Sequence, residues 1–158
     1  MDELIINEGH SVGLFNFGMK IEEVEHYSKL NIEKYNIHED SFFFEYDEEG
    51  KVIDIHLIIE DLKHHFQCKF KGIDILNTKA IELIELFDTI TPYLRDPESS
   101  LGYSYQFLKL GLSFWRGNVC NEKDLESDWF KELHPEIQED NKRFLYFETV
   151  TFHLYRLN

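Results

Sequence analysis

The stretch Phe42-Phe43-Phe44-Glu45-Tyr46-Asp47-Glu48-Glu49-Gly50-Lys51-Val52-Ile53-Asp54-Ile55-His56-Leu57-Ile58-Ile59 decides the fold. It joins two β-rich runs through Asp47–Gly50, which carries turn chemistry, and Gly50 can take the positive φ that such a turn requires. The second run alternates with period two. It predicts Ile53, Ile55, Leu57 and Ile59 on one face of a strand, and Asp54 and His56 on the other with Val52 and Ile58. The expectation is an antiparallel hairpin.

On the N-terminal side, Ser11–Phe17 reads as a short strand bracketed by Gly13 and Gly18, with Val12, Leu14 and one of Phe15 or Phe17 facing inward. Met19–Leu30 has helical spacing at Ile21, Val24 and Tyr27, and Glu22 and Glu23 suit a helix start. Residues 31–40 read as a loop. On the C-terminal side, His64–Phe70 predicts a strand with Phe66, Cys68 and Phe70 inward. Lys79–Ile90 predicts a helix whose broad stripe of Ile81, Leu83, Ile84, Leu86, Phe87 and Ile90 is well buried. Two further strands follow, at 102–110 and 111–116, with a bulge at Gly111. Glu126–Leu133 predicts a short helix, and Phe144–Tyr155 a long final strand. The fold class is α+β: a mainly antiparallel, aromatic-rich sheet with two main helices and a short third. Thr91–Ser100 contains a proline-bearing break, but each half alone is small for a stable core, so residues 1–158 are read as a single domain.

The chain carries 31 acidic and 16 basic residues, a formal charge of −15. Such a surface repels nucleic-acid backbones and anionic membranes, and steers basic partners toward it. The acid is clustered. Met19–Gly50 holds ten Asp/Glu against three Lys, a net −7; Asn121–Arg143 holds eight Asp/Glu against four Lys/Arg, a net −4. Between them, Leu62–Gly72 carries Lys63, Lys69 and Lys71 and no acid. The two cysteines, Cys68 and Cys120, are far apart and form no zinc-type pair, so two free thiols in a reducing cytoplasm are expected. The N-terminus has no basic, apolar leader, and no apolar run reaches membrane-spanning length.

No phosphate loop, dinucleotide fingerprint or zinc-protease motif occurs. Glu23 and His26 make one Glu-x-x-His step, where a di-iron bundle needs two steps and two more glutamates. His64 and His65 are adjacent and point to opposite faces of a strand. No metal, cofactor or catalytic residue is therefore assigned. Asp54 and His56 share a strand face as a base–orienter pair would, with Ser104, Ser113 and Cys68 as nucleophiles elsewhere in the chain and none in a recognised elbow.

The segments Gly13-Leu14-Phe15-Asn16-Phe17-Gly18-Met19, Gly72-Ile73-Asp74-Ile75-Leu76 and Gly111-Leu112-Ser113-Phe114-Trp115-Arg116, with a late β-rich run ending in Tyr155, set a layout across most of the chain. That layout resembles the small immunity proteins of bacterial polymorphic-toxin systems. The resemblance implies an acidic, cytoplasmic, non-enzymatic protein that blocks a toxin at or near its active site. The expected function is neutralisation of a basic protein partner, such as a toxin domain, with no direct contact to nucleic acid or membrane. The candidate partner-binding residues are Glu22, Glu23 and Glu25 in the first cluster and Glu122, Asp124, Glu126 and Trp129 in the second. Two alternatives stay open. One is a nucleic-acid mimic that inhibits a DNA- or RNA-binding protein; the other is a small hydrolase using the Asp54/His56 face.

Overall fold

The computed structural model describes residues 1–155 and has the α+β architecture expected from the sequence. Its centre is a five-stranded antiparallel sheet built from β1 (Phe42–Tyr46), β2 (Val52–Ile58), β3 (Ser104–Phe107), β4 (Leu112–Trp115) and β5 (Thr149–His153), in the spatial order β3-β4-β5-β2-β1. The hairpin β1–β2 lies at one edge, with Phe42 opposite Leu57 and Phe44 opposite Ile55. Its turn closes through Asp47: the Asp47 carboxylate accepts from the Glu49 and Lys51 N–H groups at 2.9 and 3.0 Å, and Gly50 has φ +79°. The C-terminal strand β5 inserts between β2 and β4, so the sheet is completed only when the end of the chain returns.

Register sorts the side chains into two faces. Phe42, Leu57, Val150 and Phe114 form one inner row, and Phe44, Ile55, Phe152, Leu112 and Phe107 the next. Helix α1 spans Ile21–Tyr35, α2 spans Ala80–Asp88 and α3 spans Pro135–Lys142. From α2, the buried Phe87 ring packs 5.7 and 5.8 Å from the rings of Phe107 and Phe114 and 6.0 Å from Phe70. Burying each such aromatic side chain is worth about 1.5–3 kcal/mol. Phe15 plays the same part near the hairpin, 5.0 Å from Phe42 and 4.7 Å from Phe44.

Several local expectations are corrected. Helix α1 continues through residues read as a loop and ends at Asn36, whose left-handed φ of 55° lets its N–H cap the Ile32 carbonyl. Residues 11–17 form a tight hairpin, Ser11–Val12 against Phe15–Asn16, which buries Phe15 and leaves Leu14 exposed. Residues 64–70 do not join the main sheet. Phe66–Gln67 pairs in parallel with Asp2–Glu3, and Lys69–Phe70 pairs with Ile73–Asp74, although Phe66, Cys68 and Phe70 are buried as expected. The stripe on α2 is narrower than expected: Leu83, Ile84 and Phe87 are buried, whereas Ile81, Leu86 and Ile90 are exposed. The short helix expected at 126–133 is a 3₁₀ turn at Glu122–Glu126 followed by one α-turn at Asp128–Lys131, and the third helix of length is α3. The final strand is confined to β5, because Arg143–Leu145 turns as a 3₁₀ helix first. Among the described residues, no helix is long and apolar enough to cross a membrane.

Candidate functional site

The outer face of the sheet carries a continuous polar row. Gln106, Ser113, Thr151 and His56 lie side by side across β3, β4, β5 and β2, ending against Phe43 on β1, and His153, Asp54 and Glu45 form the adjoining row. Asp54 and His56 do share a strand face, as the alternation predicts, but they do not pair with each other. Asp54 Oδ1 lies 2.7 Å from His153 Nδ1, and His153 Nε2 lies 2.9 Å from Ser113 Oγ. An ionised carboxylate only accepts hydrogen bonds, so the proton sits on His153 Nδ1. In the tautomer that carries only this proton, the Nε2 lone pair accepts from the Ser113 hydroxyl. Strand register creates this relay from residues 99 and 40 positions apart in the chain.

His56 has a different environment. Its ring stacks on Phe43 at 4.2 Å between centroids with an 8° interplanar angle. Its Nδ1 is 2.7 Å from Thr151 Oγ1. Its Nε2 is buried without a hydrogen bond and faces the Glu45 carboxylate at 3.5 Å. Burial pushes the His56 imidazole below its ordinary range. A hydrogen bond with Asp54, and then burial, push the Glu45 carboxyl up. The ligand atoms of Glu45, Asp54 and His56 all lie within 4.8 Å of one another, so they are the described residues placed to hold a cation, although the sequence assigns no metal ligands.

A cleft of about 320 Å³ opens over the relay, lined by Asp54, Gln106, Leu108, Ser113, His153 and Tyr155. A larger groove, about 640 Å³, lies elsewhere, between the N-terminal strands and α1, and its lining mixes Leu4, Ile5, Leu14 and Leu30 with charged and aromatic side chains. At that groove the Tyr35 hydroxyl donates to Asp2 at 2.6 Å.

The acidic candidates lie outside the relay. Glu22, Glu23 and Glu25 are exposed at the start of α1, and none of the three forms an ion pair among the described residues. Glu23 also accepts, at 3.4 Å, from the N–H of Lys20, which precedes the helix. Burial, and then the charges of Glu25 and Glu22, raise the Tyr46 phenol, which places these carboxylates beside β1. The second cluster is partly engaged within the fold. Glu122 is bound by Lys79, and Asp124 accepts from the Asn121 N–H at 2.8 Å, while Glu126 remains exposed. Trp129 is 57% exposed, so it is a surface side chain rather than part of the core.

Sequence reasoning missed His153 as the partner of Asp54, and it named Ser113 as one of three possible nucleophiles without placing it beside that partner. No local signal marks either residue, because each acquires its role only when β5 enters between β2 and β4. Comparison with protein families, with curated proteins and with solved structures finds no match to this chain.

Proposed function

We propose that this protein binds and neutralises a basic protein partner, in the manner of an immunity protein acting on a toxin domain, and that α1 is the principal contact. The observation that carries this reading is the trio Glu22, Glu23 and Glu25: exposed, without basic partners among the described residues, and set on a regular helix. Carboxylates left free in this way exert their full field on an approaching cation, and the net charge of −15 adds a long-range pull. The exposed Trp129 supplies an aromatic anchor of the kind that dominates interface energetics. Glu122 and Asp124 have internal partners, so the second cluster contributes Glu126 and the Trp129 ring more than its formal charge.

The test begins with the full chain as bait for a partner, which is then purified for kinetics. The association rate is measured against ionic strength for wild type and for two triple variants, Glu22/Glu23/Glu25→Lys and Glu122/Asp124/Glu126→Lys. The expected result is a wild-type rate that falls steeply as the Debye length shrinks below about 8 Å. The first triple variant should associate more slowly than the second. Rates that ignore salt and are identical in all three proteins overturn the reading. A partner whose bound DNA or RNA competes for the same face moves the assignment to nucleic-acid mimicry.

A further inference from the structure

Ser113, His153 and Asp54 present a nucleophile, a base and an orienting carboxylate in the correct atomic order, with contacts of 2.9 and 2.7 Å. Exposure grades along the relay: the His153 side chain is 36% exposed and that of Asp54 only 17%, so the base is reachable while the group that orients it is shielded. The relay opens into a cleft rather than into the core. Gln106 stands directly opposite Ser113 in the β3–β4 register, on the same face, and is exposed. Cβ atoms of such cross-strand pairs lie about 4.5–5.5 Å apart, which brings the Gln106 amide within reach of an acyl oxygen carried on Ser113.

We propose that this constellation is a nucleophilic hydrolase site for small carboxylic esters, an activity additional to partner capture. Ser113 Oγ adds to the ester carbonyl carbon as its proton passes to His153 Nε2. The tetrahedral adduct then breaks its bond to the alcohol oxygen, which leaves with the proton from His153. Water gives a proton to the same Nε2 and attacks the acyl-serine, releasing the carboxylic acid and restoring the Ser113 hydroxyl. Asp54 is a positioning residue that holds the productive tautomer, and the Gln106 amide donates to the oxyanion. A cleft of about 320 Å³ sits at the lower end of small-ligand sites, which selects short acyl groups. Asp54 in its lining, with the Glu45 carboxylate next to Asp54, disfavours anionic substrates, so the substrate class is an uncharged or cationic short-chain ester.

The experiment treats the full chain with a fluorophosphonate probe, maps the adduct by mass spectrometry and follows p-nitrophenyl acetate hydrolysis. The expected adduct is on Ser113. Ser113→Ala should remove it and lower kcat/KM at least about 100-fold. Asp54→Asn should lower kcat toward the Ser113→Ala level with KM unchanged, a split that a packing defect does not produce. His153→Ala should be inactive and partly restored by added imidazole, which keeps the test decisive if another variant folds poorly. An adduct at a different residue, no adduct on folded wild type, or wild-type turnover by Ser113→Ala overturns the proposal. Partner association by Ser113→Ala is read in parallel and is independent of the ester assay, so failure of this site and failure of the capture reading are told apart.

Discussion

The guanidinium of Arg116 donates to the main-chain carbonyl of Phe144, 28 residues further along the chain, at 2.7 Å. The same side chain, 1% exposed, donates from Nε to Gly102 O at 2.9 Å, and its Nη1 reaches Cys120 O at 3.3 Å. One buried arginine therefore ties the end of β4 to the turn before β3 and to the segment that leads into β5. Burial holds its pKa below the usual range. Removing it leaves buried carbonyls without donors, so Arg116→Met should cost about 2–4 kcal/mol. Arg116→Lys should recover only part of that, because an ammonium cannot fork to carbonyls in several directions. Urea denaturation of the three proteins provides the comparison.

The face that α2 buries can be checked in adjacent residues. Phe87 is fully buried and sits among the rings of Phe70, Phe107 and Phe114, so Phe87→Ala should cost about 3–5 kcal/mol. Its neighbour Leu86 is 40% exposed, and Leu86→Ala should cost well under 1 kcal/mol. Equal losses in chemical denaturation would mean that the helix is rotated from its described position.

These contrasts show where the sequence was readable. The hairpin Phe42–Ile58 was legible because alternation and turn chemistry are both local, and the two signals agree. Arg116 was legible only as the last residue of the strand expected at 111–116; its burial depends on carbonyls contributed by residues 102, 120 and 144. The width of the α2 stripe misled for a related reason. Apolar spacing marks which residues could be covered, but the sheet reaches only as far as Leu83, Ile84 and Phe87. The start of α3 at His134-Pro135 was a helix signal left unread in the sequence, since proline suits a first helical position. At the candidate site Asp54 was found by its strand face. Its true partner, His153, lies 99 residues away and was not.

His56 should make the fold sensitive to mild acid. Its folded pKa is depressed by burial, against an opposing contribution from Asp54. As pH falls below the ordinary histidine value of 6.5, the unfolded chain takes up the proton before the folded protein does, so stability declines. Glu45 acts in the opposite sense. Its raised pKa makes the folded state bind a proton more readily above 4.5, which favours folding on acidification in that range. His56→Gln should therefore flatten the loss of urea midpoint between about pH 6.5 and 5. Glu45→Gln should raise the midpoint at pH 7 and lose that advantage at pH 4. A His56→Gln profile parallel to wild type would remove His56 as the source of the acid limb.

Charge reversal should separate the two acidic clusters by stability before any partner is present. At the start of α1, Glu22, Glu23 and Glu25 touch solvent, and their reversal loses a favourable interaction with the helix dipole of about 0.3–1 kcal/mol per charge in the first turn. Glu23 also loses its long 3.4 Å contact with the Lys20 N–H. In the second cluster, Asp124→Lys removes the acceptor of the Asn121 N–H, bound at 2.8 Å, and Glu122→Lys sets a cation against Lys79. The Asp124 charge partly offsets the burial that lowers the Arg116 pKa, so reversal there also places a positive charge near a buried guanidinium. Glu126 is exposed and should tolerate the change. The second triple variant should thus unfold at a lower urea concentration than the first, although its formal charge change is the same. Single variants refine the comparison: Asp124→Lys should account for most of the loss, and Glu126→Lys for almost none. If the first triple variant is the less stable, the carboxylates of α1 are structural, and slower partner association by that variant can no longer be assigned to charge alone.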